Sequence, residues 1–438
     1  MKSYLILFAQ AHPNFRIAEL DALAELVNVK LDLSQHDETR PYLEVQLPDD
    51  DSARRLISRA VLTRGIYELW GQGATYEELH ASIKETSAER FDVYKKCSFK
   101  FTFESFKGSR DHKSQVKTIE SFSYLDFEGP INLKAPDETF TVLEEYEVSG
   151  QDKADQPKQL WFGRLIQLSE RVRNGLVERY DLKKRKYIGT TSFDAELSLV
   201  TCNLAHVLPD QIVYDPFAGT GSFLVAAAGY GALTIGSDID GRTLSGNGSK
   251  RNVRFNFKDY GTLTNFIDVI TMDFTHNALR KNFQIDSIIC DPPYGVREGL
   301  RVLGAKNEEK AAGREHNIVD GTIAHLRRDF MHPKKPYELS SLLDDLLSFA
   351  SDRLPVGGRL AFWMPTANDD FKVTLIPQHK CLELLYNLEQ DFNKWSRRLL
   401  VYVKRDESYI GETRSGLKEM NIRNFRERYF HGFSENSR

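Results

Sequence analysis

Apolar and polar positions alternate along the first part of the chain in a way that predicts short strands and amphipathic helices in turn. Apolar or period-two runs predict strands at residues 4–9, 42–47 and 64–70. The intervening segments carry apolar residues at helical spacing, the clearest set being Ile17, Leu20, Ala24 and Val27. The pattern therefore predicts an α+β module of ferredoxin-like type at the N-terminus.

A strict alternation of strands and helices begins near residue 195. Strands are predicted at 212–215, 233–237, 266–271, 285–291 and 359–364. The clearest helix, at 339–350, has one apolar stripe made of Leu339, Leu342, Leu343, Leu346, Leu347 and Ala350. Such alternation predicts a doubly wound, mostly parallel sheet that binds ligands outside the carboxyl ends of its strands.

Charge is distributed unevenly. The net charge of −4 argues against a protein that coats nucleic acid with its whole surface. Residues 95–118 nevertheless hold seven Lys or Arg residues against two acidic ones, interleaved with aromatic residues. This region is either a half-buried strand with a solvated lysine face or a phosphate-binding face. The phosphate-binding candidates are Lys95, Lys96, Lys100, Lys107 and Arg110. A polar stretch at 150–158 is predicted to be a linker or an exposed loop.

The apolar runs and the cysteines bear on the compartment. Every apolar run is far shorter than the ~20 residues that span a bilayer, so no membrane segment is expected. The four cysteines are scattered, with no two at metal-ligand or redox spacing. Buried thiols in a reducing, cytoplasmic setting are therefore expected, without a bound metal.

The first chemical motif is Asp215-Pro-Phe-Ala-Gly-Thr-Gly, at the end of a predicted strand. Its glycines permit positive φ and let a ligand approach the backbone. The carboxylate before them would repel a phosphate but attract a cationic sulfonium or amino group. The candidate ligand-binding residues are Asp215, Phe217, Gly219, Thr220 and Gly221.

The next two predicted strands also end in acids. Asp238, followed by Ile239, comes 23 residues after Asp215, where an acid would take a ribose diol; alternatively, Asp238 is a helix N-cap. After the third strand, the Asp273 carboxylate is suited to the exocyclic amine of an adenine, and the Phe274 ring is suited to its face. A ligand with ribose, adenine and a positive end is S-adenosylmethionine.

The second motif is Asp291-Pro292-Pro293-Tyr294, at the end of the fourth strand of this region. The Asp291 carboxylate and the Pro292 carbonyl can accept both N–H groups of an exocyclic amine, which aims the nitrogen lone pair at a methyl carbon. Two prolines keep the acceptors rigid, and Tyr294 offers a face for an extruded base. A plain turn would explain the prolines but not their place at a strand tip opposite a cofactor site.

These two motifs, in this order, resemble those of the Rossmann-like, S-adenosylmethionine-dependent amino-methyltransferases. The segment at 185–196 resembles the one before the catalytic fold in the tRNA guanosine-10 N2-methyltransferase family. In that family it lines the cofactor site, which implies a role for Thr191, Ser192 or Phe193. The N-terminal module with the basic, aromatic region at 95–118 is similar in position to a THUMP domain, which implies RNA binding.

The resemblance implies an α/β fold of class I methyltransferase type, mostly parallel, preceded by an α+β THUMP-like RNA-binding module. The expected divisions are a THUMP-like region at 1–170, a connecting segment at 171–194 and a methyltransferase domain at 195–438 with an insertion at 295–336. The basic residues Lys183, Lys184, Arg185, Arg297 and Arg301 are either phosphate contacts or solvated charges.

The activity implied is methylation of the exocyclic N2 amine of guanosine-10 in tRNA. The same four residues, the tetrad Asp291-Pro292-Pro293-Tyr294, would also serve adenine N6 methylation of DNA or RNA, or methylation of a protein amide. A non-catalytic RNA-binding scaffold with a methyltransferase fold is a further alternative, against which the intact tetrad argues.

The predicted strand at 266–271 belongs at a sheet edge in the methyltransferase order, and it is apolar at four of six positions. An uncovered apolar edge is an aggregation hazard. Either a local helix or loop covers it, or a partner does. The resemblance implies a small zinc-binding activator protein that adds a strand there and forms a heterodimer.

Overall fold

The structure of the chain is a computed structural model. It describes residues 1–149, 152–246, 248, 250–294, 300–305, 313, 316–327, 332–368, 371–392 and 395–415. The chain divides into two compact units, Met1–Glu178 and Arg179–Arg438, and each is described by itself.

The first unit is built on one mixed sheet. Its strands are β1 (Lys2–Phe8), β2 (Tyr42–Leu47), β3 (Thr63–Gly73), β4 (Phe99–Phe106), β5 (Glu138–Ser149) and β6 (Asp152–Leu168). They run in the order β2-β1-β3-β6-β5-β4, and only the β4–β5 pair is parallel. The helices are α1 (Arg16–Leu26), α2 (Asp50–Ile57), α3 (Tyr76–Tyr94), α4 (His112–Glu120) and the short α5 (Glu170–Arg173).

Side-chain caps fix where the helices of this unit begin. Asp49 accepts from the Ser52 N–H at 2.8 Å, and Thr75 accepts from the Glu78 N–H at 3.2 Å. Phe99, Phe101 and Phe103 of β4 pack against an aromatic core that includes Trp70 and Phe140.

The prediction of a linker or an exposed loop at 150–158 is wrong over residues 152–158, and residues 150 and 151 lie outside the described residues. Residues from Asp152 onward belong to β6, which forms a hairpin with β5 through pairs such as Ser149 with Asp152. Backbone pairing holds this extension of the hairpin and needs no apolar side chain. Pro157 lies where the register shifts, as expected for a residue that cannot donate to the ladder.

The second unit contains the predicted α/β sheet. Its strands are β7 (Ile212–Asp215), β8 (Leu233–Asp238), β9 (Phe266–Thr271), β10 (Ser287–Cys290), β15 (Arg359–Ala367), β16 (Leu382–Asp391) and β17 (Trp395–Lys404). The order is β16-β17-β15-β10-β7-β8-β9. The five strands from β15 to β9 are parallel, and β17 is antiparallel to both its neighbours. This confirms a mostly parallel sheet with β9 at one edge.

Helices and a small insertion complete the second unit. The helices are α6 (Leu176–Tyr180, which begins just before the unit), α7 (Ala195–Leu204), α8 (Ser222–Gly229), α9 (Gly241–Ser245), α10 (Val253–Tyr260) and α11 (Leu339–Arg353). The predicted apolar stripe of α11 is buried. Between β10 and α11, β11 (Arg301–Leu303) pairs with β14 (Lys334–Pro336), and β12 (Ile318–Val319) pairs with β13 (Thr322–Ile323). Within the described ranges, no helix has the length and apolar content that crossing a membrane requires.

Candidate active site

The first loop of the site follows β7. Asp215 is buried, and its carboxylate accepts a hydrogen bond from the Phe217 N–H at 3.0 Å. Gly219 and Gly221 have φ values of +50° and +83°, which side chains with a Cβ rarely adopt. A Cβ on Gly221 would also lie 2.9 Å from Val253. The sequence thus needs glycine here to turn tightly from the strand into α8.

Carboxylates from neighbouring strands converge on this loop. Asp238, at the end of β8, accepts from the N–H groups of Gly219 at 2.9 Å and Asp240 at 2.8 Å. The N-cap of α9 is Asp240, so the alternative of Asp238 as N-cap is wrong. Burial raises the pKa of Asp215 well above its ordinary value, and the charges of Asp238 and Asp291 raise it further. Burial also raises the pKa of Asp238. A bound cation would relieve this repulsion.

Asp273 and Phe274 follow β9 and are both buried. The Asp273 carboxylate accepts from the Thr275 N–H at 2.9 Å and from the Leu303 N–H of β11 at 2.6 Å. The insertion therefore contacts the predicted adenine site. Phe274 packs edge-on against Phe217 of the glycine loop, with ring centres 5.4 Å apart.

The segment before α7 lies against the glycine loop. The hydroxyls of Ser192 and Thr220 are hydrogen-bonded at 2.7 Å. The Phe193 N–H donates to the Ser222 hydroxyl at 3.1 Å, and the Phe193 ring is buried. Thr191 is exposed, and no contact to the loop is described for it.

The Asp291 tetrad begins directly after β10, at the centre of the sheet. The Tyr294 hydroxyl donates to the Asp291 carboxylate, which fixes both side chains. Pro292 is buried and Pro293 is exposed. Burial raises the pKa of Asp291 to about 6, while the bond from Tyr294 and the charge of Arg397 act in the opposite direction. The carboxylate is therefore an ionised hydrogen-bond acceptor at neutral pH.

Arg397 was not found from the sequence. It lies on β17, more than a hundred residues from the tetrad, in a run without a recognisable motif. Its guanidinium carbon lies 4.5 Å from the ring centre of Phe193 and 5.5 Å from that of Trp363. Only the pairing of β10, β15 and β17 brings it to the site.

The basic candidates of the first unit fall into two groups. Lys95 is ion-paired with Asp126 at 2.6 Å and Glu128 at 3.1 Å, and Arg110 is paired with the buried Glu144 at 2.9 Å. The charges of these two are thus compensated within the unit. Lys96 and Lys107 are exposed, and Lys100 is half-buried on the edge strand β4.

Basic candidates of the second unit also differ from one another. Lys183 and Lys184 are exposed. Arg185 is only 4% exposed and donates to the Ser222 hydroxyl at 3.1 Å, so its predicted phosphate contact is wrong. It braces the start of α8 instead. Arg301 is exposed on β11, whereas Arg297 lies outside the described residues.

The fold and the site together define a Rossmann-like methyltransferase. The model of the RMKL-like methyltransferase domain matches residues 183–302, and that of the Tmrp11 THUMP N-terminal domain matches residues 2–171. The tRNA (guanine(10)-N(2))-methyltransferase of Saccharomyces cerevisiae is 54% identical over 99% of this chain and 100% of its own length. The Schizosaccharomyces pombe protein of that name is 36% identical over 98% of this chain and 96% of its own length. The chain belongs to the tRNA (guanine(10)-N(2))-methyltransferase family.

Proposed function

We propose that this chain transfers a methyl group from S-adenosylmethionine to the exocyclic N2 amine of guanosine-10 in tRNA. The observation that carries the proposal is the position of Asp291, with its rigid Pro-Pro-Tyr turn, at the centre of the sheet edge that also holds the glycine loop. End-to-end similarity to relatives named for this activity supports it.

The donor set fits the cofactor. Gly219 leaves an open backbone beside Asp238, whose carboxylate suits a ribose diol. Asp215 and its neighbouring carboxylates would attract the cationic end of S-adenosylmethionine. The Asp273 carboxylate would accept a hydrogen bond from the amine of its adenine. The walls of the cofactor site would be completed by Thr191, Ser192, Phe193 and Ile239. When bound, S-adenosylmethionine supplies an electrophilic methyl carbon.

The chain's own residues would orient the acceptor. The ionised Asp291 carboxylate and the Pro292 carbonyl accept hydrogen bonds from the two N–H groups of the amine, so the nitrogen lone pair points toward the methyl carbon. Tyr294, held by its bond to Asp291, offers its ring face to the base. After transfer the nitrogen carries one proton too many, and the Asp291 oxygen is placed to accept it.

Exposed basic residues would contact the tRNA backbone. We assign this role to Lys96, Lys100 and Lys107 in the first unit and to Lys183, Lys184 and Arg301 in the second, since these side chains reach solvent. A cytoplasmic site of action fits the cysteines, which form no disulfide bonds with one another.

A small zinc-binding activator protein is the proposed partner. Strand β9 pairs only with β8 among the described residues, and Ile267 is 45% exposed on it. The described residues contain no cluster of His, Cys, Asp or Glu that would hold a metal ion, so the proposal places the zinc in the partner. Addition of a strand along Phe266–Thr271 would complete the sheet.

The test is methyl transfer from labelled S-adenosylmethionine to tRNA, plasmid DNA and protein in parallel. The proposal requires labelling of tRNA alone, with label in N2-methylguanosine at position 10. The assay contains the proposed activator protein together with the chain. Label in adenine or in protein would replace the proposal with one of the alternative acceptors, and no label in any of the three would favour a binding scaffold.

Substitution of Asp291 tests the mechanism. We expect Asp291→Ala to lower the rate by on the order of 10²–10³, because an aligned acceptor at the reacting nitrogen is lost. Cofactor affinity measured by calorimetry should change little. Asp352→Ala, on the exposed side of α11, is the control. An equal loss of cofactor affinity in Asp291→Ala would show that Asp291 serves the cofactor instead.

A further inference from the structure

Phe392 presents an aromatic ring to solvent at the tip of the hairpin formed by β16 and β17. The ring is 39% exposed, and every other Phe, Tyr and Trp side chain that the structure describes is more buried. The Phe392 N–H donates to the Trp395 carbonyl at 2.9 Å, which ties the two sides of the tip together. The two rings are stacked, with centres 4.5 Å apart and planes inclined by 16°. An exposed ring is therefore held in a fixed orientation.

A chain of contacts joins this ring to the segment beside the glycine loop. The central guanidinium carbon of Arg397 lies 5.2 Å from the ring centre of Phe392 and 4.5 Å from that of Phe193. Arg397 also donates to the Gln390 side chain at 2.7 Å. The Phe193 N–H in turn donates to the hydroxyl of Ser222, the first residue of α8. The ring thus belongs to the ligand-binding side of the second unit.

The strand register shows how far the tip projects. Cys290, the last residue before the tetrad, pairs with Phe362 of β15. Strand β15 continues in the same direction to Ala367, which pairs with Trp395 at the tip. Five residues at about 3.3 Å each place the tip about 17 Å beyond the carboxyl end of β10. It therefore projects past the sheet edge from which ligands enter a fold of this type.

The chemistry of the tip suits a nucleobase. A base has a flat face that stacks on an exposed aromatic ring, and the Arg397 cation beside the ring suits a polyanionic strand. A protein segment would need a wider apolar surface, whereas the side chains of Asn368 and Asp391 beside the tip are polar and hydrogen-bonded to each other at 2.9 Å. A base held at Asp291 would not extend over 17 Å, but its neighbours in the strand would approach the tip.

We propose that Phe392 is a stacking platform for a base that flanks the target guanosine in the tRNA strand. The platform anchors the strand beside the acceptor site and does not contact the reacting atoms. The inference rests on the proposed function, which it extends to the recognition of the substrate.

The test is the steady-state kinetics of Phe392→Ala, with the chain and the proposed activator protein present together. Loss of one stacked base should raise KM for tRNA about tenfold, since such contacts are worth roughly 1–3 kcal/mol. At saturating tRNA, kcat should stay within about twofold, and so should KM for S-adenosylmethionine. Val356→Ala is the control, because Val356 is 63% exposed but lies just before β15, at the opposite end of that strand. It should leave KM for tRNA unchanged.

Two further variants separate stacking from packing. Phe392→Tyr keeps the flat ring and should retain a KM for tRNA near the wild-type value. Phe392→Leu keeps an apolar side chain without a ring, so its KM should rise almost as much as that of Phe392→Ala.

Methylation of tRNA by the wild-type chain is measured in the same assay, so the proposed function is judged separately from this inference. An unchanged KM for tRNA in Phe392→Ala would overturn the inference. So would a KM in Phe392→Leu as low as that in Phe392→Tyr, or a loss of association with the activator protein in place of tRNA. If Phe392→Ala does not fold, the comparison of Phe392→Tyr with Phe392→Leu decides in the same way.

Discussion

Single residues of the glycine loop have conformations that only glycine adopts easily. Gly221→Ala should lower stability by about 1–2 kcal/mol from backbone strain alone, because φ is +83° there. The new Cβ would also press on Val253, the first residue of α10. We therefore expect a further loss of stability and a severalfold weaker binding of S-adenosylmethionine. Denaturant unfolding and calorimetry measure the two effects.

Gly261→Ala is the matched control for this substitution. Gly261 also has a positive φ, +73°, but a Cβ there would meet open space. It should cost only the backbone strain and leave cofactor binding intact. If both variants lost cofactor affinity equally, the loop would not be the part of the molecule that approaches the ligand.

The residues that sequence reasoning found at this scale are those whose role is local. Asp215, Gly219 and Gly221 are neighbours in the chain, and their order at a strand end already suggests a ligand loop. Arg185 was misassigned because a run of basic residues does not reveal which side chain turns inward. Arg397 was missed because it lies two strands away from the Asp291 turn, and strand pairing is not visible in one sequence.

At the scale of elements, the edge strand β4 and its flanks offer a test of RNA binding. Lys96→Glu and Lys107→Glu should each weaken tRNA binding and lower the slope of log K against log salt by roughly one, as loss of a phosphate contact does. Arg110→Gln is the contrasting variant. It leaves the buried Glu144 without its arginine, so it should lower stability with an unchanged slope. Unchanged slopes in both folded lysine variants would remove β4 from the RNA-binding surface.

Most elements followed from periodicity, and the exceptions have physical causes. Helix α11 and the strands β7 to β10 could be predicted because their buried residues form regular apolar patterns in the sequence. The first part of β6, at 152–158, could not be predicted in this way, because it is a mostly polar stretch that is held by backbone pairing with β5.

At the scale of the whole molecule, the order of strands decides where another protein can bind. A parallel sheet that ends in β9 presents backbone donors and acceptors at an edge where Ile267 is exposed and Phe266 is buried. Natural sheets usually protect such an edge with lysine, proline or a bulge. Here Asp268 is the one charged residue of the strand. The order was predictable only through the family resemblance, since β7, β8 and β9 are not ordered by periodicity alone.

We predict that the chain is poorly soluble and nearly inactive alone, and that it becomes monodisperse and active with the zinc-binding activator. Ile267→Lys combined with Val269→Lys should abolish association, because lysines on an edge strand oppose strand addition. The control is Ile318→Lys, an exposed apolar residue on β12 of the insertion, which should leave the complex intact. Size-exclusion chromatography and turnover on tRNA measure both effects. A fully active monomer, or a complex unaffected by the double substitution, would show that β9 is not the partner's site.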